Sequence, residues 1–340
     1  MRTTIKDIAR QTNLSITTVS LVLNNKGQKI PEETKRLIFD AVEAMNYRPN
    51  KLALSLLRKK TYTIGLIIPD ISNIFFSELG KGVEDRCRED SYNMILCNSN
   101  DEFLQEKQSI NILADRSVDG IVIVISAESF GVKYEECLST IRATGIPAIL
   151  ADCFDKAVDF STIAVDNHEG SRLAMRHLIE LGHRKIGCIT GPLGLKTNVE
   201  RLNGYINTLE EFDIQFEQSL VHEGNFRYQS GYDGTVKLLA KNPTAIFCHN
   251  DMMAYGAAKA LKDRGYSIPE DISVIGFDDI FFSAYMDVPL STVKQPVYQM
   301  GRKSAELLLE EINGSEIPKQ HILFAPELKI RKSAAPPRMP

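Results

Sequence analysis

The chain lacks several patterns that would assign it to common protein classes. It has no run of about 18 consecutive apolar residues, and its N-terminus has no apolar core of a secretion signal. Its six cysteines form no Cys-x-x-Cys pair and lie mostly in apolar runs, so we expect buried, reduced thiols. These absences predict a cytoplasmic protein with no membrane partner.

Signatures of enzyme chemistry are also missing. There is no Gly-x-Gly-x-x-Gly loop after a strand, no phosphate-binding Walker loop and no Gly-x-Ser-x-Gly elbow. The six histidines are dispersed, and no cluster of metal ligands is visible. We therefore expect a binding protein with no catalytic residues, metal or cofactor.

The charge is distributed unevenly along the 340 residues. Residues 1–60 carry 12 Lys and Arg against five Asp and Glu, a balance of +7, whereas the other 280 carry 28 against 39, a balance of −11. A basic head on an acidic body is typical of a DNA-binding module joined to a small-molecule sensor. The length suggests two or three domains.

The first 47 residues have the spacing of three short helices. Ile5, Ile8 and Ala9 share one helical face, and Ser15 is a suitable N-cap for a second helix. That second helix is expected to bury three residues, Val19, Val22 and Leu23. A third helix over 31–46 is expected to turn five side chains inward: Leu37, Ile38, Ala41, Val42 and Met45.

The second helix has the residue types expected at a major groove. Small hydroxyl side chains near a helix N-terminus can meet phosphates and base edges. We predict base contacts from Ile16, Thr17 and Leu21. The candidates for phosphate contact or helix support are Thr4, Ser15, Thr18, Ser20 and Asn24. The alternative is a three-helix subdomain with no role in DNA binding.

From Tyr62 onward, apolar strands alternate with amphipathic helices. The predicted strands are 63–68, 93–97, 120–125, 148–151, 185–190, 245–248 and 273–277. The predicted helices are 75–91, 103–116, 167–181, 198–210, 230–239 and 252–264. This alternation favours an α/β fold with doubly wound parallel sheets covered by helices on both faces.

Polar and aromatic residues follow the predicted strands, where open α/β sheets bind ligands. They are Asn73, Phe75, Phe76, Asp152, Arg201, Phe226, Asn250, Asp278 and Gln295. Each has a structural explanation when taken alone, as a core aromatic, a turn cap or a helix start. Together, flat aromatic faces and forked polar groups are what a sugar ring requires.

The chain resembles the lactose-repressor family over nearly its whole length, to about Ser333. The match is carried by residues 4–9 (Thr-Ile-Lys-Asp-Ile-Ala), 18–24 (Thr-Val-Ser-Leu-Val-Leu-Asn) and 46–56, which begin Asn-Tyr-Arg-Pro-Asn. The resemblance implies a helix-turn-helix headpiece, a hinge helix that inserts Leu56 into the minor groove, and a two-lobed body like periplasmic binding proteins. An amphipathic linker helix that packs on the body is the alternative for the hinge.

The resemblance also implies the domain boundaries. The headpiece would span 1–47 and the hinge with its linker 48–61. The first lobe would take 62–161 and 292–323, and the second lobe 162–291 and 324–333. The Pro-rich tail, 334–340, is expected to be disordered, and it carries no leucine heptads for a tetramerising coil.

Within the family, the closest resemblance is to ribose-operon repressors and ribose-binding proteins. Their sugar-contacting residue types fall in order on the nine strand-end positions. The sequence departs from this pattern at Cys153, where the binding proteins carry a second arginine. It also departs from many relatives at Leu21, where they carry an arginine or a histidine, and at Leu54, where they commonly carry an arginine. The first departure leaves the identity of the sugar open, and the Leu21 departure predicts a shifted operator preference.

The predicted function is therefore a homodimeric repressor of a carbohydrate-use operon. It would bind double-stranded operator DNA and respond to ribose or a related sugar in the cleft between its lobes. Two alternatives within regulation remain: a different sugar such as sucrose or fructose, or a phosphorylated carrier protein as corepressor. The carrier protein would need a basic patch, to which Arg86 and Arg88 could contribute.

Overall fold

The computed structural model describes residues 3–24, 26–47, 60–130, 133–314 and 318–338. The chain divides into two compact units, Met1–Thr61 and Tyr62–Pro340.

The N-terminal unit contains three helices around a small apolar core. They are α1 (Ile5–Thr12), α2 (Ile16–Leu23) and α3 (Glu32–Ala44). The core consists of Ile8, Ala9, Val19, Val22, Ile38 and Ala41. Asn13, with φ 55°, ends α1, and the Ser15 hydroxyl accepts from the Thr18 N–H at 3.0 Å to begin α2. The expected inward position of Leu37 is wrong: it is exposed, because it points away from the face that Ile38 and Ala41 bury.

The C-terminal unit is built on two six-stranded sheets. The strands are β1 (Thr63–Ile68), β2 (Asn93–Asn98), β3 (Gly120–Val124), β4 (Ala148–Ala151), β5 (Ser161–Val165), β6 (Ile186–Thr190), β7 (Val221–Glu223), β8 (Ala245–Cys248), β9 (Ser273–Asp278), β10 (Ser291–Lys294), β11 (His321–Phe324) and β12 (Glu327–Lys329). The first sheet has the order β11-β5-β4-β3-β1-β2 and is entirely parallel. The second has the order β12-β10-β9-β8-β6-β7, with only β12 antiparallel.

Helices pack against both sheets, and we call each sheet with its helices a lobe. The first lobe has α4 (Ile74–Glu89), α5 (Phe103–Asp115), α6 (Tyr134–Thr144) and α11 (Val297–Ile312). The second lobe has α7 (Asn167–Glu180), α8 (Lys196–Glu211), α9 (Tyr228–Leu239) and α10 (Asp251–Asp263). The predicted α/β class is confirmed, although the sequence reasoning did not anticipate α6 or α11.

The chain passes between the lobes three times, slightly later than expected. The predicted boundaries at 161/162, 291/292 and 323/324 fall inside β5, β10 and β11. Each strand pairs over its whole length within one sheet, so the crossings follow it, at 165–167, 294–297 and 324–327.

The tail also differs from expectation, since residues 334–338 are ordered on the second lobe. The Ala335 N–H donates to Ser273 Oγ at 3.1 Å, and its carbonyl lies 2.9 Å from His183 Nε2. Arg338 pairs with Asp271 at 2.6 Å. These contacts give hydrogen-bond and ion-pair partners to the polar groups of the tail, so it is ordered where its composition predicted disorder.

Candidate functional site

The carboxyl ends of the two sheets face one cavity of about 630 Å³. All nine strand-end residues named from the sequence line it: Asn73, Phe75, Phe76, Asp152, Arg201, Phe226, Asn250, Asp278 and Gln295. Four of them precede the crossing after β5 and the other five follow it, so only the fold brings the nine side chains together.

Arg201 is the buried cation of the cavity wall. Its Nε donates to Asn167 Oδ1 at 2.7 Å, and Nη1 donates to the His249 carbonyl. The guanidinium lies 3.8 Å from the centroid of the Phe277 ring, in a cation–π contact. Burial lowers the pKa of Arg201, and the charge of Asp278 opposes that shift. The side chain is held in place before any ligand arrives.

Asp278 ends β9 opposite Arg201. Its φ of 120° is rare for a residue with a side chain, and such strain is common at functional sites. Gln295 Nε2 donates to its Oδ1 at 2.7 Å. Burial raises the pKa of Asp278 well above its usual value, although Arg201 opposes the shift. The other polar atom of Gln295, Oε1, is buried with no protein partner.

Asp152 follows β4 with φ 53°, in the left-handed region. Its Oδ1 is buried and accepts no hydrogen bond from the protein. Burial raises the pKa of Asp152 to about 6, while Arg201 opposes the shift. A buried carboxylate oxygen without a protein donor is rare in a folded protein, so Asp152 Oδ1 is available to accept a hydrogen bond from a ligand.

The two asparagines begin helices at the cavity wall. Asn73 Oδ1 accepts from the Phe75 N–H at 3.1 Å at the start of α4. Asn250 Oδ1 accepts from the Met253 N–H, and its Nδ2 donates to the Phe226 carbonyl, both at 2.9 Å. The structural role proposed for Asn250 from its sequence position is therefore present, and it positions Phe226.

The aromatic residues form two walls. Phe75 and Phe76 pack edge to face, with ring centroids 5.1 Å apart, and Phe75 also belongs to the apolar core. Phe226 has φ 66°, and its ring lies over Gly191 so closely that a Cβ there would collide with it. Phe75 therefore packs in the apolar core and also lines the cavity.

Sequence reasoning missed several residues that line the cavity. They include Asp70, Asp101, Ile125, Phe130, Leu195, Thr197, Arg227 and Tyr228. Phe130 lies on the loop after β3, which Glu106 holds by accepting from the Ser126 N–H at 2.6 Å. The missed residues lie on the same connections as the nine, so proximity to a strand end does not by itself show which side chains face the cavity.

Cys153 does not line the cavity. It packs in the core of the first lobe, with its sulfur 3.7 Å from the Tyr134 hydroxyl. The Cys153 side chain therefore packs inside the first lobe and does not contribute to the cavity wall.

The basic patch considered for a carrier protein is internally paired. Arg86 contacts Asp90 at 2.6 Å, and Arg88 pairs with Glu84 on the same helix. Their charges are offset by neighbours one turn away.

The exposed face of α2 carries the predicted base-contacting residues. Ile16, Thr17 and Leu21 are exposed, with 39% of Leu21 accessible. Asn24 Nδ2 donates to the Ser20 carbonyl at 2.8 Å and supports the end of the helix. The Thr4 N–H donates to Asp7 at 2.9 Å and begins α1. The hinge residues Leu54 and Leu56 lie outside the described residues.

Two kinds of feature are absent from the described ranges. None of the helices there combines the length and apolar character needed to cross a bilayer. No group of three or more His, Cys, Asp or Glu side chains there is arranged to hold a metal ion.

Comparison with known proteins identifies the family. Residues 4–50 match bacterial regulatory proteins of the lacI family, and residues 175–334 match a periplasmic binding protein-like domain. The chain is 36% identical over 333 residues to the transcriptional repressor PurR of Aliivibrio salmonicida, covering 97% of this chain and 98% of that protein.

Solved structures agree with this assignment. A lac repressor dimer bound to operator and an anti-inducer has a TM-score of 0.87 at 26% identity, over 98% of this chain and all of the other. A regulator from Enterococcus faecium with bound ribose has a TM-score of 0.74 at 32% identity, over 81% of this chain and all of that one. The chain therefore belongs to the lacI family of bacterial regulatory proteins, as a DNA-binding transcriptional repressor and not an enzyme.

Proposed function

We propose that the chain represses a carbohydrate-use operon in the cytoplasm as a homodimer and that a small sugar in the cavity controls its affinity for operator DNA. The observation that carries this proposal is the convergence of the nine strand-end residues on one cavity with a buried guanidinium and two unpartnered acceptors. The ribose bound to the Enterococcus faecium regulator supports a sugar.

The sugar would act by favouring one arrangement of the lobes. Residues from both lobes line the cavity, so a ligand that contacts both can bind one arrangement more tightly than another. Only such a difference in affinity can change the population of DNA-binding dimers. Leu56 would transmit the change through the hinge by entering the minor groove.

The α2 face would read each operator half-site. Ile16, Thr17 and Leu21 are exposed, and the two apolar side chains can contact thymine methyl groups but cannot hydrogen-bond to guanine. The preferred half-site would thus differ from that of relatives with a polar residue at the Leu21 position.

A second effector class, a planar heterocycle such as a purine base, is favoured by the aromatic lining. Phe76, Phe130, Phe226 and Tyr228 all border the cavity, and aromatic rings stack on flat ligands. A carrier-protein corepressor has less support because Arg86 and Arg88 are paired within their own helix.

The experiment is thermal unfolding of the full-length protein with free sugars, sugar phosphates and purine bases, followed by operator binding with any ligand found. A ligand at about 100 times its dissociation constant should stabilise by about 2.7 kcal/mol. Arg201→Met should no longer be stabilised by the ligand. Arg176→Met, which removes an exposed ion pair with Glu180 on α7, should still be stabilised. Stabilisation by purine bases alone would overturn the sugar assignment.

A further inference from the structure

We propose that the cavity selects an uncharged, hydroxyl-rich ligand, a free sugar rather than a sugar phosphate, and that Asp152 and Gln295 accept hydrogen bonds from its hydroxyl groups. The inference rests on the proposed function, because it assigns the chemical class of the effector in the same cavity.

The unpartnered atoms of the cavity wall are hydrogen-bond acceptors, so a ligand that suits them must carry hydrogen-bond donors. Asp152 Oδ1 and Gln295 Oε1 are both buried acceptors without a protein partner. A sugar hydroxyl can donate to either of them, whereas a phosphate dianion offers only further acceptors. Burying a phosphate beside these oxygens would leave them unsatisfied and would add repulsion from the Asp152 carboxylate.

The charge of the lining also disfavours an anion. Among the described residues, four carboxylates border the cavity, those of Asp70, Asp101, Asp152 and Asp278, and only two cations do, Arg201 and Arg227. Burial raises the pKa of Asp278 well above its usual value. Even with Asp278 protonated, the carboxylates outnumber the guanidinium groups by three to two.

The two arginines of the cavity wall already interact with other groups of the protein. Arg201 donates to Asn167 and to the His249 carbonyl, and it faces the charges of Asp278 and Asp152. Arg227 lies close enough to Asp101 to oppose the burial that raises the pKa of that carboxyl group. Neither arginine is therefore a free site for a phosphate.

The test is isothermal titration calorimetry of the full-length protein at pH 7.5 with ribose, fructose and the phosphate esters of both. We expect at least one free sugar to bind at least tenfold more tightly than its phosphate. Asp152→Asn should weaken binding of the free sugar at least tenfold. It should also reduce the ratio between the affinities for the free sugar and for its phosphate ester, because it removes the charge that repels the phosphate. The matched control is Asp155→Asn, which alters a nearby carboxylate that does not line the cavity and should leave both affinities unchanged.

A second variant keeps the test decisive if Asp152→Asn does not fold. Gln295→Met removes the other unpartnered acceptor and should also weaken binding of the free sugar at least tenfold. Tighter binding of a phosphate ester than of its free sugar would overturn the inference while leaving a sugar effector in place. Binding of purine bases with no response to any sugar or ester would instead overturn the sugar effector itself.

Discussion

Three residues of the cavity wall are held in energetically unfavourable states. Asp152, Phe226 and Asp278 all have φ values between 53° and 120°. Asp278 is buried, Asp152 is half-buried with its Oδ1 inaccessible, and both carboxyl groups have raised pKa values. Strain and desolvation of this kind persist where the surrounding fold enforces them, and they are common where a ligand later supplies compensating contacts.

Asp152 should make the ligand-free protein less stable at high pH. The acid has a folded pKa of about 6 against a usual 3.8, so the folded state holds its proton more tightly than the unfolded state. Stability from this group is therefore full below about pH 4 and falls as the pH rises through 6. We expect Asp152→Asn to raise the unfolding free energy at pH 8 by up to about 3 kcal/mol and to change it little at pH 4.

Urea unfolding of both proteins at the two pH values measures this difference. An equal effect of Asp152→Asn at pH 4 and pH 8 would show that the carboxyl group is not desolvated. Asp155→Asn is the control, because it removes a neighbouring carboxylate outside the cavity.

Pairs of elements set the rigidity of each lobe. Helices α4 and α11 come from opposite ends of the body sequence, yet they approach closely at Gly82 and Gly301. A Cβ at Gly301 would collide with the Leu79 carbonyl, and one at Gly82 with the Tyr298 carbonyl. Only glycine allows this backbone-to-backbone contact, which ties the late helix to the first lobe.

Gly301→Ala should therefore destabilise the protein. The added methyl group meets backbone atoms that cannot rotate away, and overpacking of this kind costs about 1–3 kcal/mol. Thermal unfolding should show a lower Tm, whereas Gly194→Ala, where no heavy atom lies within 4 Å of the added Cβ, should leave the Tm nearly unchanged. An unchanged Tm for Gly301→Ala would mean that the two helices separate easily.

A hydrogen bond between elements of the two lobes favours the arrangement seen here. Lys196 Nζ, on α8 of the second lobe, donates to the Phe154 carbonyl of the first lobe at 2.7 Å. Lys196→Met removes this bond with little change in length, so the observed arrangement becomes less populated. We expect a roughly three- to tenfold weaker apparent affinity for the effector, since a net hydrogen bond is worth about 1 kcal/mol.

Titration calorimetry measures that affinity. Lys262→Met is the control, because its partner Asp287 is exposed and lies in the same lobe. A tighter effector complex in Lys196→Met would indicate that the ligand prefers a different arrangement of the lobes.

At the scale of the whole molecule, an exposed aromatic cluster suggests where two copies meet. Phe281, Phe282 and Tyr285 lie on the second lobe, with ring centroids 4.9–5.5 Å apart, and 73% of Tyr285 is exposed. Clustered aromatic side chains on a surface are typical of protein interfaces. They support the proposed homodimer.

Phe281→Asp combined with Tyr285→Asp should disrupt that dimer. Charges in an apolar interface remain desolvated and unpaired, so we expect monomers in sedimentation velocity at micromolar concentration. Operator affinity should fall at least tenfold, because each monomer brings a single headpiece. Tyr266→Asp, at another exposed tyrosine, is the control. Retention of the dimer by the double variant would place the interface elsewhere.

Local patterns in the sequence were sufficient for most of the elements and for nine of the residues that line the cavity. Apolar runs such as 63–68 read as buried strands because both faces of a parallel sheet are covered, and polar residues directly after them fall at the ligand-binding edge. Motifs at 4–9 and 18–24 identified the family because they combine core, cap and surface positions of α1 and α2.

Other features depended on contacts between residues distant in sequence. The tail is ordered because Ala335 finds Ser273 and His183, and the lobe crossings follow whole strands because pairing is cooperative along each strand. The same holds for the chemistry of the cavity. Whether Asp152 and Gln295 have partners, and how far Asp278 is desolvated, is decided by which atoms the folded chain brings within hydrogen-bond distance, and no local pattern encodes those distances.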